Sequence, residues 1–563
     1  MNEVFGGIFG EGIIKSKHKR KTGYKIFPHD LYDSGSRMLL LSVILFFGLG
    51  ILLARLVSLT LVEGIRYKTL ASENRIREIK VDAPRGIIYD RMGNILVRNT
   101  PVFKKSNTEI FFEKKPSSAS GEFTEGVVRD YVYGSLFAHV VGFTGEIGDE
   151  EIKNAKLKMQ NSGTDYKSGD IVGKTGIEKE YDEILRGIGG KELVEVDATG
   201  SRVRVMGRLS PKSGNNLNVT LDLKLQQAAF DALKDKKGAV VATIPATGEV
   251  LVLYSSPSFD PNNFIRGIGL DEILQNEEDR PLFNRAIGGT YPPGSTFKII
   301  TSVAALESGA INKDTEIEDT GVLTVGSFSF GNWYFSKYGR KEGMLNVVGA
   351  IRRSNDIFFY KIGELTGIDT IASMARKMGA EKVTGIDIEG EARGVMPDRE
   401  WVKRVRDENW YLGNTYHVAI GQGDILATPL QVNYWTNAIA NNGRVCRPYL
   451  VKDQRSKIKD QKDECRDLEI KEETIDLIRE GMREACSTGG TGWPLFNFKI
   501  PTACKTGTAE FGDPKDRTHA WFTVFAPVYN PQISITVLVE SGGEGSSVAG
   551  PIAKKILEEW FSR

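Results

Sequence analysis

The chain has 563 residues, with Lys+Arg 74 against Asp+Glu 73, and its net charge of +1 gives no electrostatic reason to bind nucleic acid. Its length is enough for roughly three or four domains of about 150 residues each, and its 40% hydrophobic content is that of an ordinary globular protein with something apolar in it. Four Cys, none in a CxxC pair, and only five His give a zinc cluster no support, so neither a metal nor a cofactor is expected.

In chain order, residues 1–37 are basic and Gly-containing, the composition of a poorly ordered cytoplasmic tail. Met38 to Ala54 carries no charge, Arg55 interrupts, and Leu56 to Val62 continues. As a helix, Met38–Val62 spans about 37 Å at about 1.5 Å per residue, enough for a hydrocarbon core of about 30 Å. A buried core helix would show a repeating polar face, and none falls here before Arg55. A cleavable signal would have a shorter apolar region, and Ser58-Leu59-Thr60 is a poor small-residue cleavage site. Residues 38–62 therefore read as an uncleaved transmembrane anchor. Lys15, Lys17, Lys19, Arg20, Lys21, Lys25 and Arg37 precede it, against Arg66, Lys68, Arg75, Arg77 and Lys80 after it. That modest bias places the N-terminus in the cytoplasm.

After the anchor, Ala83 to Leu96 reads as two short strands around a turn at Met92-Gly93-Asn94. Lys104 to Glu125 is polar, carries Pro116 to Gly121, and reads as a loop. Gly173 to Glu178 leads into a helix through Leu185, and Leu193 to Val205 and Asn216 to Leu221 read as strands. From Leu223 the texture changes. Leu225 to Leu233 is helical, and Gly238 to Ile244 and Glu249 to Tyr254 are strands joined by Pro245-Ala246-Thr247-Gly248. A mostly helical middle follows, then strand-like runs at Phe496 to Glu510, Ala520 to Val528 and Gln532 to Glu540. A final helix carries Ile552, Ile556 and Trp560 on one face. Two strands early, three late and helices between predict an α+β domain, 223–563, built on one antiparallel five-stranded sheet. Residues 63–222 read as a separate α+β region, which the resemblance drawn from the motifs below makes an elongated pedestal. All four cysteines lie late, at Cys446, Cys465, Cys486 and Cys504; outside the membrane disulfides are permitted, and four Cys allow three full pairings.

The sharpest local feature is Tyr291-Pro292-Pro293-Gly294-Ser295-Thr296-Phe297-Lys298, running into apolar Ile299 to Leu306. Pro-Pro-Gly stops the preceding element, so Ser295 falls at a helix start, where free N–H groups and the dipole favour negative charge. Lys298 lies one turn on, on the same face, and an apolar helix lowers a lysine's pKa. A Ser beside such a base is an activated nucleophile. Ser-x-x-Lys is cheap, and it recurs at Ser16 and Ser456, but in basic, polar stretches with no apolar helix behind them. Ser354-Asn355-Asp356 follows, and by itself it reads as a helix cap. Lys505-Thr506-Gly507-Thr508 lies in a strand pattern; Lys-Thr-Gly also occurs at Lys21 and Lys174, but only this copy follows the other two motifs inside a sheet domain. As an edge strand it could offer backbone groups to an extended peptide, with Lys505 and the two Thr hydroxyls meeting a carboxylate.

Ser-x-x-Lys, then Ser-x-Asn or a variant, then Lys-Thr-Gly, in this order, resembles the signature set of penicillin-binding proteins and serine β-lactamases. Arg85-Gly86 through Asp90-Arg91-Met92-Gly93-Asn94, Gly173 through Glu178 with Tyr181, Gly421-Gln422-Gly423 and Ala427-Thr428-Pro429-Leu430-Gln431 resemble class B penicillin-binding proteins. Met396-Pro397, Trp401 and Trp410 resemble the elongation branch, penicillin-binding protein 2. The resemblance covers nearly everything after residue 80. Two departures stand out. The second motif ends in Asp356, which leaves open whether residue 356 donates or accepts a hydrogen bond, and the stretch between Val97 and Tyr131 leaves little room for the family's head subdomain.

The resemblance implies a monofunctional peptidoglycan D,D-transpeptidase with a β-lactamase-like fold, fixed in the bacterial plasma membrane with its catalytic domain outside. Ser295 is then the nucleophile and Lys298 its base, with Ser354 relaying a proton. Asp356, Lys505, Thr506, Gly507 and Thr508 bind the peptidoglycan stem peptide, and β-lactams block Ser295. A SEDS-family glycan polymerase of the RodA type and other elongation-complex proteins are the implied partners. A division-type transpeptidase of the same class, or a D,D-carboxypeptidase or β-lactamase-like hydrolase, are the alternatives.

Overall fold

The computed structural model describes residues 34–73, 75–104, 110–111, 124–158, 166–197, 202–452 and 465–563. The Ser-x-x-Lys copies at Ser16 and Ser456, the Lys-Thr-Gly copy at Lys21, and the polar segment Pro116 to Gly121 lie outside them, as does most of the 1–37 tail. The chain divides into two compact units, 1–77 with 194–204, and 78–193 with 205–563.

The first unit carries α1, Ser34–Val57, which continues as a wider helical turn through Val62. Among the described residues it is the one helix long and apolar enough to cross a membrane; the span Met38–Val62 has a mean hydropathy of 2.5 and none of it is buried in protein. A helix closes its backbone hydrogen bonds within itself, which is what a lipid solvent requires. Arg55 pairs with Glu63 at 3.9 Å at the far end.

In the second unit, β1 (Ile88–Tyr89) and β2 (Ile95–Lys104) form the hairpin expected around Met92-Gly93-Asn94, with the Asp90 carboxylate accepting from the N–H groups of Met92 and Asn94. The polar stretch read as a loop holds more strand than expected: β2 runs to Lys104, and β3 (Ile110–Phe111) and β4 (Thr124–Tyr131) both pair with it. Likewise, the run Leu193 to Val205 divides into strands Gly190–Val196 and Arg202–Leu209. Leu217–Asn218, β5, adds parallel to β1. Beneath this sheet is a buried charge cluster. Arg85 pairs with Glu178 at 2.8 Å and Asp182 at 2.7 Å, and Arg129 donates to Glu178 at 2.6 Å. Burial disfavours the charged Glu178, but the two guanidiniums more than offset it and hold its pKa below the usual carboxylate range.

The Leu223–Leu233 helix, α2, starts where Asp222 accepts from the N–H groups of Lys224 and Leu225. The expected sheet is present: β6 (Gly238–Thr243), β7 (Val250–Ser256), β8 (Ala503–Glu510), β9 (Thr518–Ala526) and β10 (Ile533–Val539), in the order β7-β6-β10-β9-β8, all antiparallel. β8 begins later than the run Phe496 to Glu510 had indicated. Pro494 sits in a short 3-10 turn and Pro501 has no N–H for a ladder, so Phe498 and Ile500 pack against the core as loop. On one face of the sheet α2 and α8 (Gly545–Phe561) bury Leu225, Leu233, Ile552 and Ile556. On the other face α7 (Pro429–Ala440), opened by a Thr428–Gln431 capping box with Pro429 in its first turn, packs on the strands, and α3 (Lys298–Glu307), α4 (Val347–Arg353) and α5 (Asp356–Thr366) share its core. Disulfides join Cys446 to Cys465 and Cys486 to Cys504, settling the pairing that the sequence left open.

Candidate active site

Three segments distant in sequence meet between the edge strand β8 and the helices on its face. Ser295 sits half-buried in the 3-10 turn Gly294–Phe297 that leads into α3. This turn is held by close backbone approach: Gly294 N–H donates to Gly421 O at 2.9 Å, and a Cβ on Gly421 would lie 2.1 Å from Gly294 O. Gly294 itself has φ +53°, a left-handed conformation that favours glycine. It also touches β8, where its added Cβ would meet Thr508 O at 3.1 Å.

Lys298 opens α3 and is 0% exposed. Its ammonium donates to Asp356 Oδ1 at 2.6 Å, Ser354 O at 2.8 Å and Ser354 Oγ at 3.4 Å. These contacts run to the second motif and not to Ser295. Burial pushes the Lys298 pKa down, Asp356 pulls it back, and it stays below the usual lysine value. Lys505 is also 0% exposed, and its ammonium donates to Ser354 Oγ at 2.7 Å and Thr506 O at 3.0 Å. Burial and the neighbouring Lys298 charge drive its pKa well down. Ser354 Oγ thus receives both buried amines.

The sequence left two readings of Ser354-Asn355-Asp356, and the segment does both jobs. Asn355 caps α5, accepting from Phe358 N–H at 2.9 Å, while Ser354, with φ +53°, turns its hydroxyl towards the lysines. Asp356 accepts rather than donates through its side chain, taking Lys298 on one oxygen and the Trp333 N–H, at 2.9 Å, on the other. Asn332 Oδ1 receives the Asp356 N–H at 3.1 Å. Asn332 and Trp333 carry no motif, so sequence reading passes over them.

Thr506 Oγ1 donates to Thr491 Oγ1 at 3.0 Å, and Thr508 Oγ1 accepts from Gly545 N–H at 3.4 Å. Gly507 packs against the Ser295 turn, where an added Cβ would meet Pro293 O at 3.2 Å, a tight approach between strand and turn. β8 is the edge, as the peptide-addition reading required. Gln422, in the Gly421-Gln422-Gly423 turn, reaches it with Nε2 3.4 Å from Thr508 O. The Lys-Thr-Gly copy at Lys174 is elsewhere, its lysine paired with Glu151.

Comparison with known proteins agrees with this geometry. The family described as the penicillin binding protein transpeptidase domain matches residues 238–558, and the penicillin-binding protein dimerisation domain matches residues 107–219. A relative named peptidoglycan D,D-transpeptidase MrdA, from Salmonella typhimurium, is 32% identical, covering 94% of this chain and 97% of its own length. Penicillin-binding protein 2 of Helicobacter pylori, solved in complex with MreC, is 29% identical with a TM-score of 0.73, over 86% of this chain and 99% of that one. A chain from a structure titled for coordination of polymerization and crosslinking by a peptidoglycan synthase complex is 27% identical with a TM-score of 0.72, over 93% of this chain and 98% of that one. The single apolar span, the dimerisation domain and the three-motif cleft go together: this chain belongs to the elongation-type class B penicillin-binding proteins.

Proposed function

We propose that the chain cross-links peptidoglycan in cell elongation through an acyl-enzyme on Ser295. The Ser295 oxygen attacks the carbonyl between the two terminal D-alanines of a stem peptide, forming an ester as the amide C–N bond breaks. Lys298 takes the hydroxyl proton, and Ser354 passes a proton to the nitrogen of the departing D-alanine. An amine of a neighbouring strand then attacks the ester, forming a new amide and returning the proton to Ser295. The backbone N–H groups of Ser295 and Thr508 stabilise the oxyanion. Lys505, Thr506 and Thr508 hold the terminal carboxylate, Gly507 keeps the strand close to the nucleophile's turn, and Asp356 orients Lys298. A β-lactam imitates D-Ala-D-Ala and leaves Ser295 blocked.

The observation that carries this reading is Ser354 Oγ within 2.7 Å of Lys505 Nζ and 3.4 Å of Lys298 Nζ, a buried proton path ending beside the Ser295 turn. Transpeptidation is tested by supplying a D-Ala-D-Ala donor with an amine acceptor: D-alanine release with amide product supports it, and release with only hydrolysed donor would identify a carboxypeptidase instead.

The placement proposed is residues 1–37 in the cytoplasm, 38–62 in the membrane, a 63–222 pedestal and a 223–563 transpeptidase domain outside. Two disulfides favour the oxidising side of the membrane. The neighbours solved with MreC and within a peptidoglycan synthase complex support elongation-complex partners, including a polymerase of the RodA type.

A further inference from the structure

β8 alternates. Thr506, Thr508 and Glu510 point to one side while Lys505, Gly507 and Ala509 point to the other, and the exposed members are Thr508 and Glu510. If the donor's terminal carboxylate lies at Lys505 and Thr506 and its scissile carbonyl at the Ser295 turn beside Thr508, the peptide runs along the edge towards Glu510. Strand spacing of about 3.3 Å per residue puts the residue preceding D-Ala-D-Ala against the last positions of β8. Thr508 O, which Gln422 Nε2 approaches at 3.4 Å, would then accept from that residue's amide link.

An aromatic wall lies near this end. His417, in α6 (Leu412–Ala419), packs edge-on to Phe330 at 5.6 Å, and Phe330 contacts Tyr360 at 5.6 Å and Tyr416 at 5.0 Å. Gln422 ties this wall to the strand, its N–H donating to His417 O at 2.8 Å while its side chain reaches Thr508. Burial lowers the His417 pKa, while Glu510 and Asp424 raise it.

Four other carboxylates around this end have partners. Asp424 is bound by Arg406, Glu540 by Arg285 and Tyr291, Glu544 by Lys337, and Asp513 by Arg517. Glu510 has no ion pair or hydrogen bond among the described residues. It is an unpaired charge at the end of a peptide-binding edge.

We infer that Glu510, at the end of the β8 edge, is a specificity-determining residue that binds the side-chain ammonium of a diamino acid in the third position of the donor stem peptide. The inference rests on Ser295 being the acylated residue. Because Glu510 is exposed, its pair with an ammonium should favour a cationic donor by about three- to fivefold, the size open to an exposed ion pair.

The test uses the full chain in detergent and two penicillins made by acylating 6-aminopenicillanic acid with lysine blocked on its α-amine. The ε-amine is free in one and acetylated in the other. Second-order rate constants for covalent labelling should favour the free amine about three- to fivefold in the wild type and be equal in Glu510→Gln. Glu510→Lys should favour the acetylated compound. Equal rates in the wild type, or an unchanged preference in Glu510→Gln, would overturn the inference while labelling at Ser295 leaves the reaction itself standing. Labelling that persists in Ser295→Ala would instead overturn the reading beneath it.

Discussion

Lys298 and Asp356 form a buried ion pair at 2.6 Å, joining the first residue of α3 to the first residue of α5. The third residue of the middle motif therefore acts here as a counter-charge to the proposed base. Burial lowers the pKa of this lysine and Asp356 raises it, while the Lys298 charge in turn lowers the pKa of Lys505 on β8.

The first prediction follows from the sign of that pair. Asp356 raises the Lys298 pKa, so Asp356→Asn lowers it and leaves the amine neutral at lower pH. The acid limb of the penicillin acylation rate should move down by about one unit or more, with a plateau of the same order as the wild type. Rate profiles from pH 5 to 9 measure it. An unmoved limb would mean that Lys298 is not the group being titrated.

The second prediction concerns Glu178, which is 0% exposed and receives both Arg85 and Arg129. Glu178→Ala leaves two buried guanidiniums without their shared partner and should cost about 3–5 kcal/mol, since a broken buried pair strands its charge. Denaturant unfolding should show it. A loss below about 1 kcal/mol would show that water or relaxation satisfies the cluster.

The third concerns the Cys486–Cys504 disulfide, whose second cysteine directly precedes Lys505. Replacing both with Ala should cost about 3 kcal/mol by freeing a loop of 18 residues in the unfolded chain. Acylation should slow as well, because the start of β8 is anchored there. Melting and labelling rates of the variant check both parts, and wild-type values for the two would remove any role for this bond in the site.

The fourth concerns α1. Full-length protein should stay in the membrane fraction after alkaline carbonate washing, while a chain starting at Lys68 should be soluble. A mature N-terminus beyond Val62 in cells would contradict the uncleaved anchor.

Much of this was legible in the sequence because the signals are local. Pro292-Pro293-Gly294 marks the turn before Ser295, the apolar run after Lys298 marks its helix, and Pro245 to Gly248 marks the β6–β7 hairpin. What could not be read depended on three-dimensional meeting. The Lys298–Asp356 contact joins residues 58 apart in sequence, and nothing in the spacing says which lysine faces which carboxylate. Thr491 and Trp333 sit at the site only because segments distant in sequence return to it. The run Phe496 to Glu510 misled because Phe498 and Ile500 are partly buried against the core as loop, and apolarity alone does not separate a packed loop from a strand.

The nucleophile is the centre of the account, and fluorescent penicillin labelling with intact-mass and peptide mapping tests it most directly. A single adduct should map to the peptide containing Ser295. Ser295→Ala should abolish it without unfolding the chain, since Ser295 caps neither the 3-10 turn it lies in nor α3 after it. An adduct that persists in Ser295→Ala, or maps to Ser16 or Ser456, would contradict the assignment.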